Sequence, residues 1–331
     1  MTFFKCLICS ILALGVASAQ DVTSLAERAR RGDIRAVEEL GKLESASQIL
    51  AALPEIKGDS QFNRALRLAR AGRDGSAFLD FATEILFATG GIQQRAVNDL
   101  KQVGGNRSLR LAQVLLADFS GAERIGDLYY MANAQSVLES LPDLVSSPPA
   151  VSMTSPGAGS WQSIHQKWVS WFQEDPSRGR ISTAERNSLL EAGRRKPTLA
   201  VQGALLVLLG SDIFNQLAPA NGRPLPEILG IAFGGRPYRP QALTAVMQLP
   251  PADQWIVVKT IFLSQQLRAA WLGCRLPQRG SNTRLKNLVT LLSSHLAVRG
   301  TAIQVTDPSL PQAKGLCELL EMSTTNIPVA Q

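Results

Sequence analysis

Glycine and proline break this chain at intervals of about one helix, and almost nothing in it alternates as a strand would. Between residues 22 and 145 the breaks fall at Gly32, Pro54, Gly58, Gly72, Gly90-Gly91, Gly104-Gly105 and Gly121. Their spacing is mostly about 12 to 18 residues, the length of a globular helix with its connection. Between breaks, Ala, Leu, Arg, Glu and Gln are abundant, residues that lose little freedom in a helix. Ile34, Val37, Leu40 and Leu43 step by three, and Phe78, Phe81, Ala82, Ile85 and Leu86 trace one apolar helix face. The best strand candidate, Ala302 to Thr306 before Asp307-Pro308, is short. The pattern predicts an all-α fold.

Fragments recur along the chain. Ala46 to Leu53-Pro54 is echoed by Ala134 to Leu141-Pro142 and, more loosely, by Ala242 to Leu249-Pro250. A second echo pairs Arg35-Ala36-Val37 and Leu40 with Arg95-Ala96-Val97 and Leu100. Leucine-rich helices stopped by proline produce such echoes by themselves. So does a solenoid, in which helix pairs stack because no pair buries its apolar face alone. The stretch Ala29-Arg-Arg-Gly32-Asp33-Ile34-Arg-Ala36-Val37-Glu-Glu-Leu40-Gly41-Lys-Leu43 resembles a HEAT-type repeat unit. Gly91 to Gly105 resembles it without the Asp. The resemblance covers mainly 22–145 and implies a helical-hairpin repeat array whose curved surface binds protein partners.

Residues 146–160 are dominated by Ser, Pro and Gly and carry no period, which reads as a linker. All five tryptophans follow it. The expected organisation is therefore a helical repeat region over 20–145, the linker, and a second helical region over 161–331. In the latter, helices are expected over Trp161–Glu174, from a capping box at Ser182-Thr-Ala-Glu185, across the apolar Leu199–Leu209, from Ala252 to about Gly273, and from Thr283 to about Val298. Ala218–Pro226 and Gly234–Pro240 read as irregular connections.

Residues 1–19 have the form of a cleavable secretion signal. Lys5 precedes an apolar run from Cys6 to Val16, and Ala17-Ser18-Ala19 supplies a small-x-small exit before Gln20. The run is too short to span a bilayer, which takes about 20 residues. The expectation is export to the periplasm or beyond, with no integral segment left after cleavage. Removal leaves Cys274 and Cys317 of the four cysteines. In an oxidising compartment two surviving cysteines tend to pair, and their bridge would contribute about 4 kcal/mol in the chain-entropy picture. Two separate buried thiols, or a reactive thiol, are the other readings.

No cofactor or metal site is expected, because a zinc site wants about four ligands and the exported chain keeps two cysteines with His165 and His295. Neither histidine sits in an H-x-x-x-H or H-E-x-x-H arrangement. No G-x-S-x-G or Walker-type loop is present. Trp161, Ile164, Trp168 and Trp171 share one helical face beside His165. That stripe suits a core, a partner-binding aromatic surface through Trp168 and Trp171, or an enzyme site assembled around His165.

The formal charge of +7 falls by one when Lys5 leaves with the signal, and the isoelectric point is about 9.5. Arg64, Arg67, Arg70 and Arg73 step by three along one helix, a slanted ridge rather than a flat face. The ridge reads either as solvated surface or as a contact for an anionic envelope component. Nucleic acid is not expected as a partner outside the cytoplasm. The favoured reading is a non-catalytic binding or scaffolding protein.

Overall fold

A computed structural model of the chain describes residues 22–88, 90–118, 135–149, 161–175, 177–234, 236 and 240–263. The described residues are helical and include no strand; an isolated antiparallel bridge joins Ala220 and Arg223. The chain divides into two compact units, one ending at Phe81 and the other beginning at Ala82.

The first unit is built from helices at 22–30, Ile34–Lys42, Ser47–Ala52 and Ser60–Ala71, followed by the start of Gly75–Phe87. Each of the longer helices opens at a glycine–aspartate corner. Gly32 takes φ +90°, and Asp33 then accepts from the Arg35 and Ala36 amides at 3.0 and 3.3 Å. Gly58 takes φ +86° before Asp59, which accepts from the Phe62 amide at 2.9 Å. Gly72 precedes Arg73-Asp74, and Asp74 accepts from the Ala77 amide at 2.8 Å. A carboxylate there satisfies amides that have no intrahelical partner and meets the positive end of the helix dipole.

Behind these corners lies a core of Ala29, Ala36, Val37, Leu40, Leu50, Leu53, Phe62, Leu66 and their neighbours. Small residues set how closely helices 34–42 and 60–71 approach. A Cβ placed on Gly41 would lie 3.0 Å from that of Ala69. The three-residue stepping of Ile34, Val37 and Leu40 thus reads out directly as burial, with Val37 and Leu40 wholly buried and Ile34 at the edge.

The second unit holds helices Gly90–Asn98, Leu100–Val103, Gly105–Asp118, Trp161–Glu174, Thr183–Arg195, Leu199–Leu209, Glu227–Gly234, Pro240–Met247 and Pro251–Leu263, with residues 135–140 also helical. The expected capping box forms, with the Glu185 amide donating to Ser182 and the Ser182 amide donating to Glu185. Helix 199–209, the most apolar stretch of the sequence, is buried on all sides from Val201 to Leu208. Such a helix needs neighbours all round. Gly203 lets one come close, since a Cβ there would lie 2.4 Å from Thr260 Oγ1 of helix 251–263 and 3.1 Å from Phe87 Cζ.

The division into compact units falls within helix 75–87, and helices from both sides of 146–160 belong to one unit. The Gly179 backbone lies against Leu109 and Arg110, where its Cβ would sit 3.4 Å from the Arg110 nitrogen. The buried 199–209 helix draws its partners from wherever the chain supplies apolar faces. The breaks expected at the double glycines fall there: helix 75–87 ends before 90–98 starts on Gly90, and Gly104 (φ +65°) ends one helix just before 105–118 begins. The signal segment 1–19, most of the linker, the 283–298 helix and the 302–306 strand candidate lie outside the described residues.

Candidate functional site

The ridge of arginines is divided by the fold. Arg64 and Arg67 are exposed on helix 60–71. Arg70 and Arg73 are half-buried and turn toward the ends of neighbouring helices. Arg70 Nε donates to Leu50 O at 2.9 Å, and its Nη2 donates to Leu53 O. These carbonyls belong to the last turn and the C-cap of helix 47–52. Arg73 Nε donates to Gly41 O at 3.2 Å and its Nη2 to Lys42 O at 2.7 Å, at the end of helix 34–42. The last four carbonyls of a helix have no intrahelical donor and carry the negative end of its dipole. A guanidinium offers two donors and a charge of the right sign. Two of the four ridge arginines are therefore tied to helix ends.

The same device recurs in the second unit. Arg110 Nε donates to Leu208 O at 3.0 Å, in the last turn of helix 199–209, and its Nη1 donates to Gln113 Oε1 at 2.6 Å. Burial pulls the Arg110 guanidinium below its ordinary pKa, but guanidinium starts high enough to remain charged at neutral pH. Arg178 Nη1 donates to Trp171 O, and the guanidinium stacks 4.1 Å from the Trp171 ring. Gln93 Nε2 donates to Ile85 O at 3.0 Å, and Trp255 Nε1 donates to Phe87 O at 2.5 Å, both at the end of helix 75–87. Side chains from elsewhere in the chain thus satisfy carbonyls at these helix ends, at helix 199–209 in addition to Gly210 (φ +94°), whose amide donates to Leu206 O.

His165 belongs to this set. Its Nε2 lies 2.8 Å from Leu116 O, in the last turn of helix 105–118. A carbonyl can only accept, so Nε2 carries the proton and is not free to act as a general base. On the same helix Ile164, Trp168 and Phe172 are buried, and Trp171 is half-buried. Trp168 and Trp171 meet edge to face with centroids 5.4 Å apart, and Trp171 meets Phe172 likewise at 5.1 Å. Trp168 is a core residue, whereas Trp171 sits at the edge beneath Arg178. The Trp161 side chain, His295, Cys274 and Cys317 lie outside the described residues.

Carboxylates are engaged as caps and in ion pairs. The Arg28 hydrogen bond, followed by the Ala36 amide, holds the Asp33 carboxyl below its ordinary pKa. The Ser177 hydroxyl, then the Ser177 amide and the Arg178 charge, do the same for Asp175. Arg107 Nε meets Glu185 Oε1 at 3.3 Å, and Arg186 meets Asp212 at 2.5 Å. Among the described residues no group of three or more His, Cys, Asp or Glu could hold a metal ion. Among them, too, no helix is long and apolar enough to cross a membrane.

The clamps at Arg110, Arg178 and His165 escape sequence reading because each partner is a backbone carbonyl, which has no residue signature. Arg110 and Leu208 stand 98 residues apart. The one available signal is a basic residue within a helix with no acidic neighbour at i±4, which holds for Arg110 and His165 but not for Arg178, which follows its helix and pairs with Glu174. The class these observations define is an all-helical protein whose helix ends are clamped by basic and amide side chains. The chain matches no protein-family model, no curated protein and no solved structure.

Proposed function

We propose that this chain is an exported, non-catalytic binding or scaffolding protein that presents HEAT-like helical hairpins to a protein partner. The reading is supported by the recurrence of one helix–corner–helix pattern in the chain. Helices 22–30 and 34–42 are joined at Gly32-Asp33, and helices 60–71 and 75–87 at Gly72-Arg73-Asp74. Gly32 and Gly72 are 40 positions apart (72 less 32), within the period of about 40 to 47 residues of such units. The shorter echoes keep their burial as well. Ala36, Val37 and Leu40 are wholly buried, as are Ala96, Val97 and Leu100, and Leu50, Leu138 and Val246 occupy matching buried places in the proline-stopped fragments.

A repeat of this kind leaves the outer faces of its helices to partners. In the first unit the exposed residues of helices 34–42 and 60–71 are polar or charged, among them Arg35, Glu38, Glu39, Arg64 and Arg67. Arg64 and Arg67 are the part of the ridge that an anionic partner could reach. Export rests on Lys5, the apolar run to Val16 and Ala17-Ser18-Ala19.

The test places a photoreactive side chain at position 39 on one helix and at 64 on the other, in cells that make the full chain. The expected outcome is a mature N-terminus at Gln20 and one discrete protein adduct formed from one of the two positions. A chain retained with residues 1–19 attached, or no adduct from either helix, would overturn the proposal.

A further inference from the structure

Residues 220 to 223, Ala-Asn-Gly-Arg, form a tight two-residue turn. Ala220 and Arg223 face each other as an antiparallel pair, and the Arg223 amide donates to Ala220 O at 2.9 Å. Both central residues lie in the left-handed region, Asn221 at φ +50° and Gly222 at φ +74°. Asn221 is the single non-glycine residue in that region among those described. Two successive positive φ angles define a type I′ turn, for which Asn-Gly is the favoured pair. The Asn221 amide donates to Pro197 O at 2.6 Å, which holds the turn beside the end of helix 183–195.

That turn also contains the one Asn-Gly step in the sequence. Both residues are exposed, and a Cβ built on Gly222 would meet nothing within 4 Å. With no side chain on Gly222 and no atom within 4 Å of where a Cβ would sit, nothing there crowds its nitrogen. Arg223 is exposed immediately after it, and Arg194, Arg195 and Lys196 lie exposed just before Pro197. The Arg223 cation, next to Gly222 in the turn, favours the deprotonated amide nitrogen and the oxyanion formed when it attacks.

We propose that Asn221 is a site of spontaneous, irreversible modification, in which its side-chain amide is lost through a cyclic imide closed onto Gly222. The Gly222 nitrogen attacks Asn221 Cγ. The new N–Cγ bond forms as the Cγ–Nδ2 bond breaks, and Nδ2 leaves as ammonia with the proton given up by the Gly222 nitrogen. Water then adds to one of the two imide carbonyls. Opening at Cγ leaves aspartate, and opening at the main-chain carbonyl leaves isoaspartate with the backbone running through Cγ. Nothing is oxidised or reduced, and water is the co-reactant.

The turn controls the rate. From its left-handed conformation Asn221 must swing about its Cα–C bond before the nitrogen can reach Cγ, so ring closure passes through a brief opening of the turn. Reaction in the folded chain is therefore slower than in a free peptide of the same sequence. Each event places one carboxylate beside Arg223. The isoaspartate product also adds a backbone methylene that a two-residue turn has no room for, which breaks the contact with Pro197.

The test incubates the purified full chain for weeks at mildly alkaline pH, with cation-exchange chromatography and peptide mapping at intervals. The expected result is a growing early-eluting form whose mass gain, that of one amide-to-acid replacement, lies in the peptide containing Asn221. That peptide should split into two products of equal mass, while helical circular dichroism is retained. Asn221→Gln should abolish the early-eluting form, and Gly222→Ala should slow it. The proposal is overturned if Asn221 stays intact in the folded chain after the free peptide has fully converted, or if other asparagines convert as fast.

Discussion

The unit ending at Phe81 and the unit beginning at Ala82 end their helices with similar side chains but have different interiors. Among the described residues every buried polar or charged side chain lies in the second unit: Gln93, Asp99, Ser108, Ser140, Gln202, Lys259 and Thr260. The core of the first unit is wholly apolar, and its clamps, Arg70 and Arg73, reach carbonyls from its rim. In the second unit Arg110, half-buried as Arg70 and Arg73 are, clamps helix 199–209, and three buried polar atoms, Ser108 Oγ, Trp168 Nε1 and Gln202 Oε1, have no hydrogen-bond partner among the described residues. Burial weighs enough on the Arg110 guanidinium to pull its pKa down, so water replaces its hydrogen bonds less readily when it is lost.

The largest expected effect follows from that difference. Arg110→Met keeps much of the aliphatic volume but leaves Leu208 O and Gln113 Oε1 without their donor, and should cost about 2 to 3 kcal/mol in chemical denaturation. A loss below about 0.5 kcal/mol, the range of ordinary surface changes, would erase the distinction between the units.

A smaller effect sharpens the comparison through pH. Asp33 in the first unit and Asp175 in the second both have carboxyls held below their ordinary values. A depressed folded value means the stabilisation is complete above the unfolded pKa and is lost as pH falls through the folded one. Asp33→Asn retains an N-cap residue but removes the charge that pairs with Arg28. Its stability should fall less than that of the parent chain on acidification below the ordinary carboxylate range, and the two should converge once Asp33 is protonated. Parallel acid titrations that never converge would show that the group acts by another route.

Legibility in the sequence follows the range of the interactions. Helices of the first unit were readable because their signals are local: apolar steps of three, and aspartates placed just after glycines. The capping box at Ser182 and Glu185 was legible for the same reason, and the buried 199–209 helix announced itself by composition. The arginine ridge was legible as spacing, but not in its use. Helix geometry places Arg64, Arg67, Arg70 and Arg73 along a slanted row, and only the neighbouring helix ends decide which of them turn inward. Trp168 and Trp171 were read as one stripe, yet a difference of three residues puts one in the core and the other under Arg178.

The central claim is that basic side chains in this protein act first as clamps on helix ends, and only the remainder serve as surface charge. The measurement that tests it most directly compares two charge-matched double variants in the full chain, Arg30→Met with Arg35→Met and Arg70→Met with Arg73→Met, by denaturant unfolding. Each removes two positive charges from the first unit, the first pair from exposed positions. The 70/73 pair should lose about 2 to 3 kcal/mol, from two clamps of about 1 to 1.5 kcal/mol each. The 30/35 pair should stay within about 0.5 kcal/mol of the parent. Equal losses in the two pairs would contradict the account, because the arginines would then be acting as charge alone.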